Sequence, residues 1–280
     1  MNKLNLLSKI FIISLLLLII TYVLKTYTKE TFSPISHLTI FFPYYNNPEQ
    51  LKKNIYHYDD LSSELKHKLE IFIVDDGSNK FPALDILNKI DYNLNVTLYR
   101  INIDVPWNMS ETNNLAFKLA KHDFLLRTDI DHYIDEENLI KIFNKKNLSS
   151  KNMYFFSRKS VNSSNKKKKL NNHINSYLIS KNMFYKINGY NESFSNNYGF
   201  EDIEFIYRLS NFPIGLGFKK KLYNIYLERR NEGGTKNLNR NTSINKLLLE
   251  KCKSIGCEHI KYKNKKYYIK QLQTKCTVYI

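Results

Sequence analysis

Four short apolar runs in the first half of the chain each break off into polar or acidic residues. They are HLTIFFPYYN, which the sequence stops at Pro43, IFIV (Ile71–Val74) before DDGS, NVTLYRINI (Asn95–Ile103), and FLLR (Phe124–Arg127) before TDID. Runs of this length, rich in β-branched and aromatic residues, read as buried strands. Between them lie segments with helical spacing: Pro48 to Leu69, residues 81–90, and SETNNLAFKLAKH, opened by Ser110 as a cap. Strands alternating with helices predict an α/β fold with a mostly parallel central sheet and right-handed crossovers. Ligands bind such sheets beyond the carboxyl ends of the strands. Tyr45, the pair Asp75-Asp76 and the stretch Asp129–Asp131 all fall there, so three polar motifs at three strand ends predict one site.

The second half is less regular. A helix is expected over 136–147, a strand at MYFFSR, and a strand at SYLISKNMFYKIN that leads into a turn at Gly189. GFEDIEFIYRLSN then opens a helix with Glu201-Asp202 in its first turn and Phe205, Ile206 and Leu209 on the buried side. No internal repeat is visible. The tail after Gly233-Gly234 is basic and mixed, and KYYIKQLQTKCTVYI is expected to close as a hairpin.

Charge and the termini bound the remaining possibilities. Forty-three Lys and Arg face 26 Asp and Glu, a net charge of +17 that suits nucleic acid, an anionic membrane surface or an anionic substrate. Lys, Asn, Ile and Tyr are all heavily used, however, as an AT-rich genome would produce, and much of that charge reads as solvated lysine. The run Lys166–Lys169 reads as a mobile loop without the aromatic interleaving of a nucleic-acid site, so no nucleic-acid partner is expected. IFIISLLLLIITYVL, between Lys9 and Lys25, is uncharged and lacks Gly and Pro. It is shorter than the ~20 residues that comfortably span a bilayer, but flanking lysines can snorkel. No small-x-small cleavage site follows, which favours an uncleaved single-pass signal anchor over a cleaved signal peptide. Lysines on both sides leave its orientation open. Cys252, Cys257 and Cys276 lie in the last thirty residues; with His259 they match zinc spacing poorly, while a Cys252–Cys257 disulfide and unpaired tail cysteines both remain open.

Asp129-Ile130-Asp131 is the pivotal chemical feature. Two carboxylates at spacing two, at the end of an apolar strand, can hold a hard cation while leaving positions for diphosphate oxygens. In VDDGS, one of Asp75 and Asp76 can accept the imide N–H of uracil and the other a ribose hydroxyl, although an ordinary Asx turn uses the same residues. Tyr45, closing the motif that contains Pro43, is placed to stack on a base. Trp107, Tyr198 and Phe200 are candidates for stacking on sugar faces. His132 reads as structural, its side chain pointing away from Asp131 on an extended backbone.

Together these residues resemble the glycosyltransferase family 2 superfamily and the related galactosyltransferase-like GT-A enzymes, over roughly Leu38 to Arg208. FPYYN is similar to the first-strand nucleotide motif, VDDGS to the uridine-binding acids and TDIDH to the metal motif. GYNESFSNNYGFEDIEFIYR resembles the acceptor-side pattern and is the most specific of the four. The resemblance implies a Rossmann-like GT-A fold with a nucleotide-sugar-binding half (31–135) and an acceptor-binding half (136–230), between the anchor and stem read from the apolar run (1–30) and the basic tail (231–280). It implies inverting transfer of a hexose or N-acetylhexosamine from a UDP-sugar to a glycan or other hydroxyl acceptor, dependent on Mn²⁺ or Mg²⁺, at a secretory-pathway membrane. Asp202 would be the base, Glu201 an acceptor contact and Asp131 the principal metal ligand, with Asp129 beside it. Two departures stand out. Thr112-Asn113-Asn114 replaces an Ala-Arg-Asn whose Arg faces the donor, which leaves Asn113 at that position. YLERR replaces a stretch carrying a metal-ligating His, which leaves Glu228 as the candidate substitute. A nucleotidyltransferase would need a Gly-rich loop with Arg and Lys after the first strand, and FPYYNNPEQL has none. A degenerate carbohydrate-binding relic is opposed by the intact acids.

Overall fold

LTIFFPY forms the central strand β1 (Leu38–Tyr44), and every residue of it is buried. Its side chains alternate between two cores, as a strand covered on both faces requires. Leu38, Ile40, Phe42 and Tyr44 join one core, while Phe41 joins Phe72, Val74 and Leu125 in the other. The computed structural model describes residues 11–21, 34–161, 167–211, 218–230, 238–255 and 269–272.

Around β1 the chain builds β2 (Leu69–Asp75), β3 (Val96–Ile101), β4 (Phe124–Arg127), β5 (His132–Tyr133), β6 (Asn152–Val161), β7 (Lys167–Leu170), β8 (Tyr177–Ser180), β9 (Phe218–Arg230) and β10 (Ile269–Leu272). They form one ten-stranded sheet in the order β10-β3-β2-β1-β4-β8-β6-β9-β5, with β7 paired to β6. The helices are α1 (residues 11–21), α2 (Pro48–Asp59), α3 (Ser63–Lys68), α4 (Ala83–Leu87), α5 (Met109–Leu119), α6 (Glu136–Phe143), α7 (Lys181–Lys186), α8 (Glu201–Ser210) and α9 (Ser243–Ile255). Leu51 and Ile55 of α2 and Leu139 and Ile142 of α6 cover one face of the sheet; Phe117 of α5, Phe184 of α7 and Phe205 of α8 cover the other.

The sheet is parallel from β3 through β2 and β1 to β4, as the alternating strands and helices predict. Beyond β4 it is mixed: β8 runs antiparallel to both β4 and β6, while β6 and β9 are parallel. "Mostly parallel" therefore holds for β1 to β4 alone.

Local expectations are corrected in four places. β1 runs one residue past Pro43, to Tyr44. The helical stretch from Pro48 splits at residues 60–62, and a new helix starts at Ser63. YLIS (Tyr177–Ser180) is a four-residue strand followed by α7, because the Ser180 hydroxyl accepts from the Met183 amide and starts a helix. Lys167–Lys169 belong to β7 rather than to a loop, in register with β6. Ile269–Leu272 pairs antiparallel with β3; the rest of the expected tail hairpin lies outside the described residues. Cys252 is buried on α9; Cys257, His259 and Cys276 lie outside the described residues.

Candidate active site

Three strand ends and the head of α8 open on one cavity of about 390 Å³. Of the residues singled out in the sequence, Pro43, Tyr45, Asp76, Trp107, Asp129, Asp131, Tyr198, Glu201 and Asp202 line it. Asp75, Asn113, Phe200 and Glu228 do not.

VDDGS divides its two acids between structure and site. The Asp75 carboxylate accepts from the Ser78 amide at 2.8 Å and the Ala83 amide at 2.9 Å, so it closes the turn and heads α4. Gly77 is required beside it. Its φ is +71°, and a Cβ there would stand 2.7 Å from the Asp104 Cα. Asp76 faces the cavity, 4% exposed, with Oδ1 unpartnered among protein groups. Burial pushes its carboxyl up to about 8.

The acidic motif after β4 is a turn rather than an extended segment, closed by the His132 amide donating to the Asp129 carbonyl at 2.9 Å. That turn corrects the expectation for His132. Its Nδ1 lies 2.7 Å from Asp131 Oδ1, and its Nε2 lies 3.0 Å from Arg158 Nη1. A guanidinium can only donate, so Nε2 accepts and Nδ1 carries the proton given to Asp131. Arg229 Nε donates to the other Asp131 oxygen at 3.1 Å, and these partners hold that carboxyl down at about 2 against its burial. Asp129 is gripped by Arg127, whose Nη1 lies 2.6 Å from Oδ1, and His173 Nδ1 lies 3.4 Å from Oδ2. Burial pushes the His173 imidazole down to about 4, so it is neutral at pH 7.

Arg127 is 1% exposed and organises this corner. Its Nε donates to the Asn113 side chain at 3.2 Å, and its Nη1 also reaches the Asn175 carbonyl. Asn113 thus orients an arginine that arrives from β4, while the helix itself supplies none.

At the far wall the chain reverses through Gly199 (φ +80°) and Phe200 (φ +68°) before α8 starts. A left-handed phenylalanine is strained, and the reversal aims Glu201 and Asp202 into the cavity. The Phe200 ring packs against the cluster of Phe194, Leu249 and Cys252, which removes it from the sugar-stacking candidates. Trp107 and Tyr198 stay, with ring centroids 4.5 Å apart. Glu201 is 3% exposed with Oε2 unpartnered, and its carboxyl is pushed up first by burial and then by Asp202. Asp202 accepts from the Asn175 amide at 2.9 Å and the Ile203 main-chain amide at 2.7 Å. Its carboxyl is nevertheless raised, because desolvation outweighs those hydrogen bonds and the charge of Arg127.

Glu228, the substitute ligand expected from YLERR, accepts from the Tyr133 hydroxyl at 2.7 Å, opposite which it pairs in the sheet. The residue that reaches Asp131 is its neighbour Arg229. Adjacent strand residues point to opposite faces, so a one-residue difference exchanges a carboxylate for a guanidinium.

A sheet that gathers a buried carboxyl, an acidic turn and a helix-head acid pair at its strand ends has the GT-A-like architecture of a nucleotide-sugar transferase. Residues 39–212 match the family model "Glycosyl transferase family 2", and the chain belongs to that family, which comprises glycosyltransferases. No curated protein matches it in sequence. Among solved structures it is similar to S. aureus TarS 1-349, at 18% identity and a TM-score of 0.52 over 69% of this chain and 60% of that one. The same TarS fragment in complex with UDP-GlcNAc gives 18% and 0.53 over 71% and 60%. GalNAc-T7 with UDP, GalNAc and Mn²⁺ gives 14% and 0.52 over 70% of this chain and 44% of that one. These likenesses are of fold, and the chain spans about 60% of the TarS fragments' length.

Proposed function

We propose that this chain transfers a sugar from a UDP-sugar to a hydroxyl acceptor with inversion, Asp202 serving as the base. The observation that carries the reading is the meeting of Asp76, Asp129, Asp131, Glu201 and Asp202 on one cavity. Asp76 and Tyr45 take the uridine, and Trp107, Tyr198 and Glu201 take the acceptor sugar. Asp202 accepts the proton of the acceptor hydroxyl as that oxygen bonds to the anomeric carbon and the bond to the nucleoside diphosphate breaks.

The acidic turn fits a hard divalent ion such as Mn²⁺ or Mg²⁺, since one ligand atom each of Asp129, Asp131 and His132 lies within 4.8 Å of the others. Both His132 nitrogens are already engaged, so Asp129 and Asp131 are the residues that would hold it. Such an ion, when bound, stabilises negative charge on the leaving diphosphate.

The apolar run between Lys9 and Lys25 supports an N-terminal membrane anchor on the secretory pathway. Among the described residues no helix is long and apolar enough to cross a membrane; residues 11–21 are helical and expose Phe11, Ile12 and Leu18. Membrane fractions washed with carbonate test the anchor: a chain released into the supernatant removes it. The transferase reading is tested by a thermal-shift screen of nucleotide sugars with and without Mn²⁺. UDP-sugars should raise the melting temperature most. No stabilisation by any of them overturns the donor assignment.

A further inference from the structure

Guanidinium groups outweigh carboxylates around the acidic turn. Arg127 holds Asp129, Arg229 holds Asp131 Oδ2, and Arg158 abuts His132. Arg158 differs from the other two. Its partners are the His132 Nε2 and the Asn171 carbonyl, at 3.0 and 2.7 Å, both uncharged. Among the described residues no carboxylate lies within 4.0 Å of it. Burial and the charge of Arg229 disfavour its protonated form more than the Asp131 and Asp129 carboxylates favour it.

The wider cavity repeats this imbalance. Four arginines (Arg127, Arg158, Arg229 and Arg240) and five carboxyl groups line it. Burial holds two of those carboxyls, Asp76 and Glu201, protonated towards neutral pH, which leaves the arginines in excess. A partly desolvated pair of like charges is relieved by an anion placed between them, and guanidinium forks match phosphate oxygens bidentately.

We propose, on the UDP-sugar reading above, that Arg158 and Arg229 form a diphosphate-binding pair that grips the donor independently of any divalent ion. Arg158 lies on β6 and Arg229 on the neighbouring strand β9, so rigid sheet sets their spacing. His132 links Arg158 to Asp131, the carboxylate that Arg229 also touches, which places the pair against the acidic turn. Negative charge developing on the departing diphosphate then meets two fixed guanidiniums, whatever the occupancy of Asp129 and Asp131.

The test is calorimetric titration of the full chain with UDP, uridine and inorganic pyrophosphate, in EDTA and in Mn²⁺. UDP and pyrophosphate should bind in EDTA. The double variant Arg158→Gln/Arg229→Gln should weaken both by at least about tenfold and leave uridine unchanged. Arg158→Lys/Arg229→Lys, which keeps the charge but loses the fork, should fall between. An unaltered melting temperature guards against misfolding. Unchanged UDP affinity in the Gln variant, or UDP binding that requires Mn²⁺ entirely, overturns the pair. Pyrophosphate binding that the Gln variant loses, with no UDP binding under any condition, keeps the pair and overturns the UDP-sugar reading instead.

Discussion

Asn175 holds Asp202: its side-chain amide donates to Oδ2 at 2.9 Å, while its own main-chain carbonyl accepts from Arg127. Because Arg127 also grips Asp129, one buried guanidinium ties the acidic turn after β4 to the loop that steers the acid at the head of α8. The two ends of the proposed reaction, leaving group and base, are therefore mechanically linked.

Removing the Asn175 amide should show in turnover and in its pH dependence. The hydrogen bond favours the ionised carboxylate, against a burial that raises its pKa. Asn175→Ala is expected to lower kcat about tenfold, leave the KM for the donor little changed, and move the acidic limb of the pH–rate profile upward. A profile that keeps its position shows that the amide does not tune Asp202.

Asp76 predicts a stability that depends on pH. Its folded-state pKa of about 8 lies above the ordinary 3.8, so between those values the folded chain binds a proton that the unfolded chain releases. Its contribution is full below the unfolded pKa and is lost as pH rises towards 8. Asp76→Asn, which mimics the protonated carboxyl, should flatten that decline in denaturant titrations across the interval. An equally steep decline in the variant assigns it to other groups.

The acidic turn predicts a metal-dependent difference. With Asp131→Ala, Mn²⁺ should no longer raise UDP affinity, whereas with Asp129→Ala the gain should shrink less, since Asp129 is the more exposed of the two and can reach the ion through water. Calorimetry with and without the ion reads both. A native-sized Mn²⁺ effect in Asp131→Ala removes the residue from the ion site.

The parallel half of the fold was legible because its signals are local: apolar runs that stop in acid, with helices between. The same locality gathered Asp76, Asp129 and Asp131 at one place. What local pattern could not supply was the basic lining. Arg158, His173, Asn175 and Arg229 come from second-half segments whose sequences carry no motif, and only the sheet order brings them to Asp129 and Asp131. Arg127 does carry a sequence signal, a charged residue ending an apolar strand that is buried throughout. His132 reaches Asp131 because a turn forms where the strand pattern points to extended backbone, and Glu228 stays away because alternation on β9 gives the site to Arg229. Asp202 stands in the first turn of α8, where the helix dipole favours a carboxylate, yet burial raises its carboxyl, a tertiary effect absent from sequence.

Asp202 carries the sharpest prediction. A sugar hydroxyl is a weak nucleophile at neutral pH, and a positioned carboxylate that takes its proton contributes about 10²–10⁴-fold. Asp202 lines the cavity with Oδ2 oriented by Asn175, while Oδ1 accepts from the Ile203 main-chain amide in the first turn of α8. The second contact is what a residue serving the helix alone would make, so activity and stability must be measured together. Asn keeps the shape and can still accept the amide hydrogen bond, but it cannot take a proton. Asp202→Asn is expected to melt near the native temperature, bind UDP as before, and lose at least about a hundredfold in turnover. The raised pKa adds a second expectation: native turnover should fall as pH drops through a value above the ordinary carboxylate range, while the residual activity of the variant should not. Near-native turnover joined to a melting temperature several degrees lower would make Asp202 a helix-head residue and move the search for the base to Glu201.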